Sequence, residues 1–255
     1  MQSAREYLDR IGASVPKAPT LEALQELHFA HLRAVPFENL DIHLGVPIVL
    51  EEDRLLAKIV TSRRGGFCYE LNYCFHWLLR ELGFRVTLLS AEVARPEGGF
   101  GIPFDHMALR VELGGAEWLA DVGFGDSFLR PLRMTPDREE REAGYRFRLR
   151  GPEPAWLLER APSNGGDYVP QYRFTTTPRA LEEFREACHY HQTSPESTFT
   201  QKAVATRALE DGRVTVAQDR VIVRQNGKRI ETPLPSLDAW REALARHVGL
   251  SARIS

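Results

Sequence analysis

The sequence predicts an α+β chain in three parts: a helical bundle, an antiparallel β unit and a mixed α/β unit. Two observations carry that expectation. Apolar residues recur at helical spacing as far as Gly83, and beyond it the period falls to two, in short segments parted by Gly, Pro and charge. The 255 residues, 43% hydrophobic and 27% charged, are ordinary for a globular chain and long enough for two or three small cores.

The helical part opens with "TLEALQELHFAHLRAV", where Leu21, Leu24, Leu27 (or His28) and Leu32 share a stripe behind Thr20 as N-cap. "EEDRLLAKIVTS" continues it with Leu55 and Ile59. "CYELNYCFHWLLREL" places Cys68, Leu71, Phe75, Leu78 and Leu82 on one face, closed by Gly83. The segments "RVTLLSAEVAR", "HMALRVEL", "EWLADV", "YRFRLR" and "YVPQYRF" then alternate as strands do, and "PRALEEFREACHY" returns to helix. "KAVATRAL", "RVTVA", "RVIVR" and "KRIET" follow, with Asp211-Gly212 and Asn226-Gly227 expected as hairpin turns. Ser236 opens a last helix.

A net charge of −2 gives no electrostatic reason to expect nucleic acid or an anionic membrane as partner. "MQSAREYLDRIG" lacks the apolar run of a signal peptide, and no stretch approaches a membrane span, so a soluble, cytoplasmic protein is expected. The three cysteines, Cys68, Cys74 and Cys188, suit neither a disulfide framework nor a zinc site.

Cys68 differs from the other two. In "RRGGFCYELN", two glycines permit a tight turn and close approach to a ligand, and the cysteine falls in the first turn of a helix, where free N–H groups favour a thiolate. Cys74 and Cys188 read as small core residues. A thiolate nucleophile needs an imidazole, and the imidazole an orienting carboxylate. In "HMALRVEL-GG-AEWLADVG" a Gly114-Gly115 loop pairs Leu113 with Ala116, Val111 with Trp118, Leu109 with Ala120 and Met107 with Val122 as one apolar face. On the other face Asp121 lies opposite Ala108 and diagonal to His106, roughly 7–8 Å away at the backbone. Two solvated polar residues would read the same way, and a one-residue slip would separate the pair.

With these residues placed, the chain resembles the arylamine N-acetyltransferase family over essentially its whole length. The blocks are "RAVPFENL" at 33–40, "RRGGFCYELN" at 63–72, His106 in "DHMALRV", "ADVGFGD" at 120–126 and "HQTSPESTF" at 191–199, in the family's order. The resemblance implies a helical bundle (1–84), a central antiparallel β-barrel (85–190) and an α/β lid (191–255) around a cysteine-protease-like Cys-His-Asp core. It implies Cys68 as nucleophile, His106 as base and Asp121 as orienting carboxylate in a ping-pong reaction. The donor would be acetyl-CoA, with no metal, and the acceptors arylamines or arylhydrazines. Phe37, Tyr69 and Phe124 would line the acceptor pocket, and Arg64 would pair with Glu38 beneath the nucleophile. Gly101, Ile102, Pro103, Phe104 and Ser197 would meet CoA, with Asp105 adding negative charge near the histidine. The same Cys-His-Asp order occurs in cysteine hydrolases and amidases. An amide synthase acting on a carrier-bound substrate and a non-catalytic binding module are further alternatives.

Overall fold

A computed structural model describes residues 2–152, 155–225 and 228–250. The helical part comprises α1 (Ala4–Ile11), α2 (Leu21–Ala34), α3 (Leu40–His43), α4 (Glu52–Leu56), which runs on into a π turn over Ala57–Thr61, and α5 (Cys68–Glu81). Thr20 caps α2 by accepting from the Ala23 N–H, one of the donors the first turn leaves unpaired.

Eight antiparallel strands follow, β2 (Arg85–Val93), β3 (His106–Leu113), β4 (Ala116–Ala120), β5 (Leu132–Arg133), β6 (Glu140–Glu142), β7 (Tyr145–Arg150), β8 (Trp156–Pro162) and β9 (Val169–Phe174). Their order is β5-β4-β3-β2-β9-β8-β7-β6, and they curl into a nearly closed barrel. After a 3₁₀ turn at Leu181–Phe184, α6 (Arg185–Thr193) and α7 (Thr198–Gln201) lead to β10 (Val204–Leu209), β11 (Gly212–Ala217), β12 (Arg220–Gln225) and β13 (Lys228–Pro233), with α8 (Leu237–Ala243) closing the chain. β1 (Phe37–Glu38) crosses over to join this second sheet beside β10. No helix among the described residues is long and apolar enough to cross a membrane.

The hairpin register follows the Gly-Gly loop: Leu113 pairs with Ala116, Val111 with Trp118 and Leu109 with Ala120, where the β3–β4 ladder ends. Its apolar face, Met107, Leu109, Val111, Ala120 and Val122, is fully buried in one core with Leu24, Leu27, Leu71, Phe75 and Leu78 of α2 and α5. The opposite face is buried at the hairpin's open end and partly exposed toward the loop, where Arg110 pairs with Glu117 at 3.1 Å. Ala108 and Leu119 lie in a second core inside the barrel, with Leu89, Phe128, Leu158 and Tyr172. His106 and Asp121 therefore stand at the seam between two cores, both buried.

Two expectations shift. The turn between β10 and β11 is Glu210-Asp211, closed by a Leu209–Gly212 pair, one residue earlier than the dipeptide suggests. Gly212 is needed inside the strand instead: at φ +132 a Cβ there would lie 1.9 Å from the Arg224 carbonyl oxygen of β12. β8 was not anticipated, because "WLLERAP" lacks clean alternation, although Asn164-Gly165 just beyond it is a turn signal. Asn226-Gly227 lies outside the described residues, although Gln225 and Lys228 on either side pair.

Candidate active site

Cys68 is the first residue of α5, and the glycines before it serve the fold more than a ligand. A Cβ on Gly65 would lie 2.1 Å from the Pro36 carbonyl oxygen, and one on Gly66 would lie 2.6 Å from Glu70 Oε2. The left-handed conformation falls on Arg63 (φ 52), so Gly65-Gly66 is not the tight turn the sequence suggests. The Glu38 N–H donates to the Gly66 carbonyl at 2.9 Å, which locks the segment against β1.

Beneath it runs a chain of buried charges. Arg64 donates to Glu38 Oε1 and Asp41 Oδ1, both at 2.8 Å, and Lys58 bridges Asp41 Oδ2 and Glu70 Oε1, both at 2.7 Å. Glu70 Oε2 then accepts the Phe67 N–H at 3.0 Å, so the chain of charges ends on the residue before Cys68. Burial pushes the Glu70 carboxyl up to about 6, with Lys58 opposing. The expected Arg64–Glu38 pair is thus one link of five.

His106 begins β3, and its Nε2 lies 2.8 Å from Asp121 Oδ2 across a fully buried contact. That leaves Nδ1 as the ring nitrogen available to Cys68. The Met107 N–H, next in the chain, donates toward the Cys68 sulfur. Gly123 packs against the nucleophile so closely that a Cβ would meet Cys68 Cα at 2.8 Å. The three side chains that the sequence reading brought together therefore share one locus, and the hydrogen bond forms although β4 ends one residue before Asp121.

Asp121 is held from every side. Oδ1 accepts from Asn72 Nδ2 and the Gly123 N–H, both at 2.9 Å, and Oδ2 accepts from the Tyr172 hydroxyl at 3.0 Å. The Asp121 N–H donates to His28 Nε2 at 3.1 Å, while His28 Nδ1 donates to the Leu129 carbonyl at 2.8 Å. Burial pushes His28 down to about 4, so it is neutral with the tautomer these bonds require. Burial alone would raise the Asp121 carboxyl, but the neighbouring His106 and the donated hydrogen bonds outweigh it and hold the group below its usual range.

The setting of the thiol opposes a lone thiolate. Burial pushes Cys68 well above the ordinary range, and Asp105, Cys188 and Asp121 act in the same direction against the Met107 N–H. Ionisation of Cys68 therefore depends on where its proton goes, and the helix N-terminus is not its main support. A lone buried anion is costly, whereas passing the proton to His106 creates an imidazolium that Asp121 is placed to stabilise. Cys74 and Cys188 are buried core thiols, as the sequence suggests.

Of the expected acceptor-pocket residues, Phe124 is half-buried with its ring 5.3 Å edge-on from His106, and Phe37 is half-buried 6.1 Å from Phe199. Tyr69 is placed differently. It is fully buried and its hydroxyl donates to the carbonyls of Phe104 (2.8 Å) and Asp105 (3.2 Å), so it braces the loop entering His106 instead of walling a pocket. In that loop Pro103 is exposed, Ile102 and Phe104 are half-buried, and Gly101 has no room for a Cβ, which would fall 1.9 Å from Asp105 Oδ2. Ser197 is buried, its hydroxyl shared between His191 Nδ1 and the Phe199 N–H. No three His, Cys, Asp or Glu among the described residues are arranged to hold a metal ion.

Comparison with known proteins accords with this geometry. The sequence model of the N-acetyltransferase family matches residues 20–254. The pineal gland arylamine N-acetyltransferase isozyme NAT-3 of Gallus gallus is 36% identical over 228 residues, covering 82% of this chain and 78% of its own. Among solved structures, the arylamine N-acetyltransferase of Salmonella typhimurium superposes with a TM-score of 0.92 at 29% identity, covering 98% of this chain and 92% of that one. The Mycobacterium marinum enzyme in complex with CoA gives 0.90 at 30%, over 98% and 93%. A fold shared end to end and a family match across nine-tenths of the sequence establish that this chain belongs to the arylamine N-acetyltransferase family.

Proposed function

We propose that this arylamine N-acetyltransferase moves the acetyl group of acetyl-CoA through a thioester on Cys68, with His106 as proton carrier and Asp121 as its orienting carboxylate. The observation that carries the reading is the buried 2.8 Å contact between His106 Nε2 and Asp121 Oδ2, beside a cysteine at the start of a helix. In the first half-reaction the Cys68 sulfur attacks the thioester carbonyl as its proton passes to His106. The CoA sulfur leaves with that proton, and acetyl-Cys68 remains. In the second, the amine nitrogen attacks the acetyl carbonyl, His106 takes the amine proton, and the Cys68 sulfur departs and recovers it.

Phe124, edge-on to His106, and Phe37 are proposed as walls for a flat aromatic ring, which gains burial energy while its amine meets the thioester. Gly101, Ile102, Pro103 and Phe104 are proposed to face CoA. Ser197, whose hydroxyl is already engaged, would contribute through the loop it caps. In this reading residues 1–84 supply the nucleophile, 85–190 the His–Asp pair and 191–255 a lid, and the protein works in the cytoplasm on a small arylamine or arylhydrazine.

The test is a CoA-release trace. With acetyl-CoA and no amine, the enzyme should release one equivalent of CoA and stop until an arylamine is added. Continuous release without amine would mark a thioester hydrolase and overturn the proposal, as would an unchanged trace in Cys68→Ala.

A further inference from the structure

A second cluster of polar side chains gathers at Asp105, the residue before His106. Asp105 is held in three ways. Its Oδ2 accepts the Val93 N–H at 3.2 Å, its carbonyl accepts from the Tyr69 hydroxyl at 3.2 Å, and its Oδ1 lies 2.9 Å from His191 Nε2. His191, near the end of α6, is buried, and its other nitrogen reaches the Ser197 hydroxyl at 3.2 Å. The Nε2–Oδ1 approach is off the line of a good hydrogen bond, so the contact is one of charge and strengthens when the imidazole is protonated. The order Asp105–His191–Ser197 thus spans from the residue preceding the catalytic histidine to the loop before α7.

We infer that Asp105 and His191 are positioning residues for the transfer reaction, tying the 193–199 segment to the loop that enters His106 and setting the field felt by the Cys68 sulfur. The inference rests on Cys68 being the nucleophile. The Asp105 carboxyl, one residue before His106, is among the groups that disfavour the Cys68 thiolate. Among the described residues, His191 is the one ion-pair partner of the Asp105 carboxylate. Rings from two other elements and from α6 itself pack against the His191 ring. α5 contributes the Tyr69 ring at 6.2 Å, α6 its own Tyr190 at 5.4 Å, and α7 the apolar Phe199 at 5.3 Å. Around Cys68 stand His106 as its proton acceptor, Asp105, Asp121, Cys188, the Tyr69 hydroxyl and the Met107 N–H. A proton on His191 offsets Asp105 and eases ionisation of Cys68, whereas a neutral His191 leaves the carboxylate opposing it.

The test is the pH dependence of Cys68 alkylation by iodoacetamide, from about pH 5 to about pH 10, which spans transfer of the thiol proton to His106 as well as its loss to solvent. The modified peptide is quantified by mass spectrometry so that Cys74 and Cys188 do not interfere. Asp105→Asn should lower the midpoint by about half to one pH unit, which is roughly three- to tenfold faster alkylation on the acid limb. His191→Gln keeps a hydrogen-bonding side chain but leaves Asp105 uncompensated, so alkylation on the acid limb should slow by a similar factor. Wild-type profiles in both variants, or shifts in the same direction as general loosening would give, would overturn the inference. If Asp105→Asn does not fold, His191→Gln decides alone: a slower acid limb supports the inference and an unchanged one ends it. Because alkylation needs no acyl donor, its outcome is separable from failure of the acetyl-transfer reading, which acetyl transfer surviving in Cys68→Ala would expose.

Discussion

Replacing Asp121 by Asn changes one atom and should disable acylation through the histidine's tautomer. Each carboxylate oxygen now accepts two donors: Oδ1 from Asn72 and the Gly123 N–H, Oδ2 from His106 Nε2 and the Tyr172 hydroxyl. An amide must turn its NH2 toward one of these pairs. The Oδ1 side is the worse choice, because a backbone N–H cannot become an acceptor. With the NH2 on the Oδ2 side, Tyr172 can accept instead of donate, but His106 must move its proton to Nδ1, the nitrogen left for Cys68. The base is then already protonated on its working side while neutral overall. Loss of the correct tautomer in such triads costs on the order of 10³- to 10⁴-fold. Stability should fall by about 1–3 kcal/mol for the disturbed buried bonds. Rapid-quench mass spectrometry after mixing with acetyl-CoA reads the rate of acetyl-enzyme formation, and a thermal melt checks the fold. A folded Asn variant that acylates within about threefold of the wild type would refute the reasoning.

Other consequences are equally concrete. Gly123→Ala places a methyl 2.7 Å from Asn72 Nδ2 and 2.8 Å from Cys68 Cα, so acylation should fall by more than tenfold with a lower melting temperature in the same melt. Tyr172→Phe removes one of four donors to Asp121 and should cost about 1 kcal/mol of stability by denaturant titration, with a modest loss of kcat. Lys58→Met leaves Asp41 and Glu70 buried without their shared cation, a loss of about 3–5 kcal/mol measurable by urea unfolding. His28, buried and pushed down to about 4, favours the folded state only while neutral, so its contribution is complete above about pH 6.5 and is lost as pH falls toward 4. Glu70, raised to about 6, has the opposite sign: relative to Glu70→Gln, the wild type should lose stability as pH rises from about 4.5 through 6.

The parts of the site legible in the sequence are those set by local rules. A Gly-Gly loop flanked by alternating residues dictates the hairpin register, and that register brings Asp121 toward His106. A change of period at Gly83 marks where helix gives way to strand, and the cysteine at the head of α5, the helix that Gly83 follows, is visible for the same reason. The supporting residues were not legible. His28 meets Asp121 across 93 residues and Tyr172 across 51, and a pattern of period 3.6 or 2 carries no record of such contacts. Asn72 had a signal. It stands four residues after Cys68 on the same helical face and ends the quoted motif, which is where a partner for the triad could be sought. Burial of the thiol was not legible either: the first turn of α5 is buried, and desolvation there opposes the pull of the helix N-terminus.

One measurement bears on the whole account most directly: peptide mapping of the enzyme after a brief exposure to acetyl-CoA, before and after a chase with an arylamine. A single acetyl group confined to the peptide bearing residue 68, and removed by the amine with appearance of the N-acetylated product, is the predicted result. Acetyl groups on Cys74, Cys188 or lysines with none on residue 68, or a residue-68 label that the amine leaves in place, would contradict it.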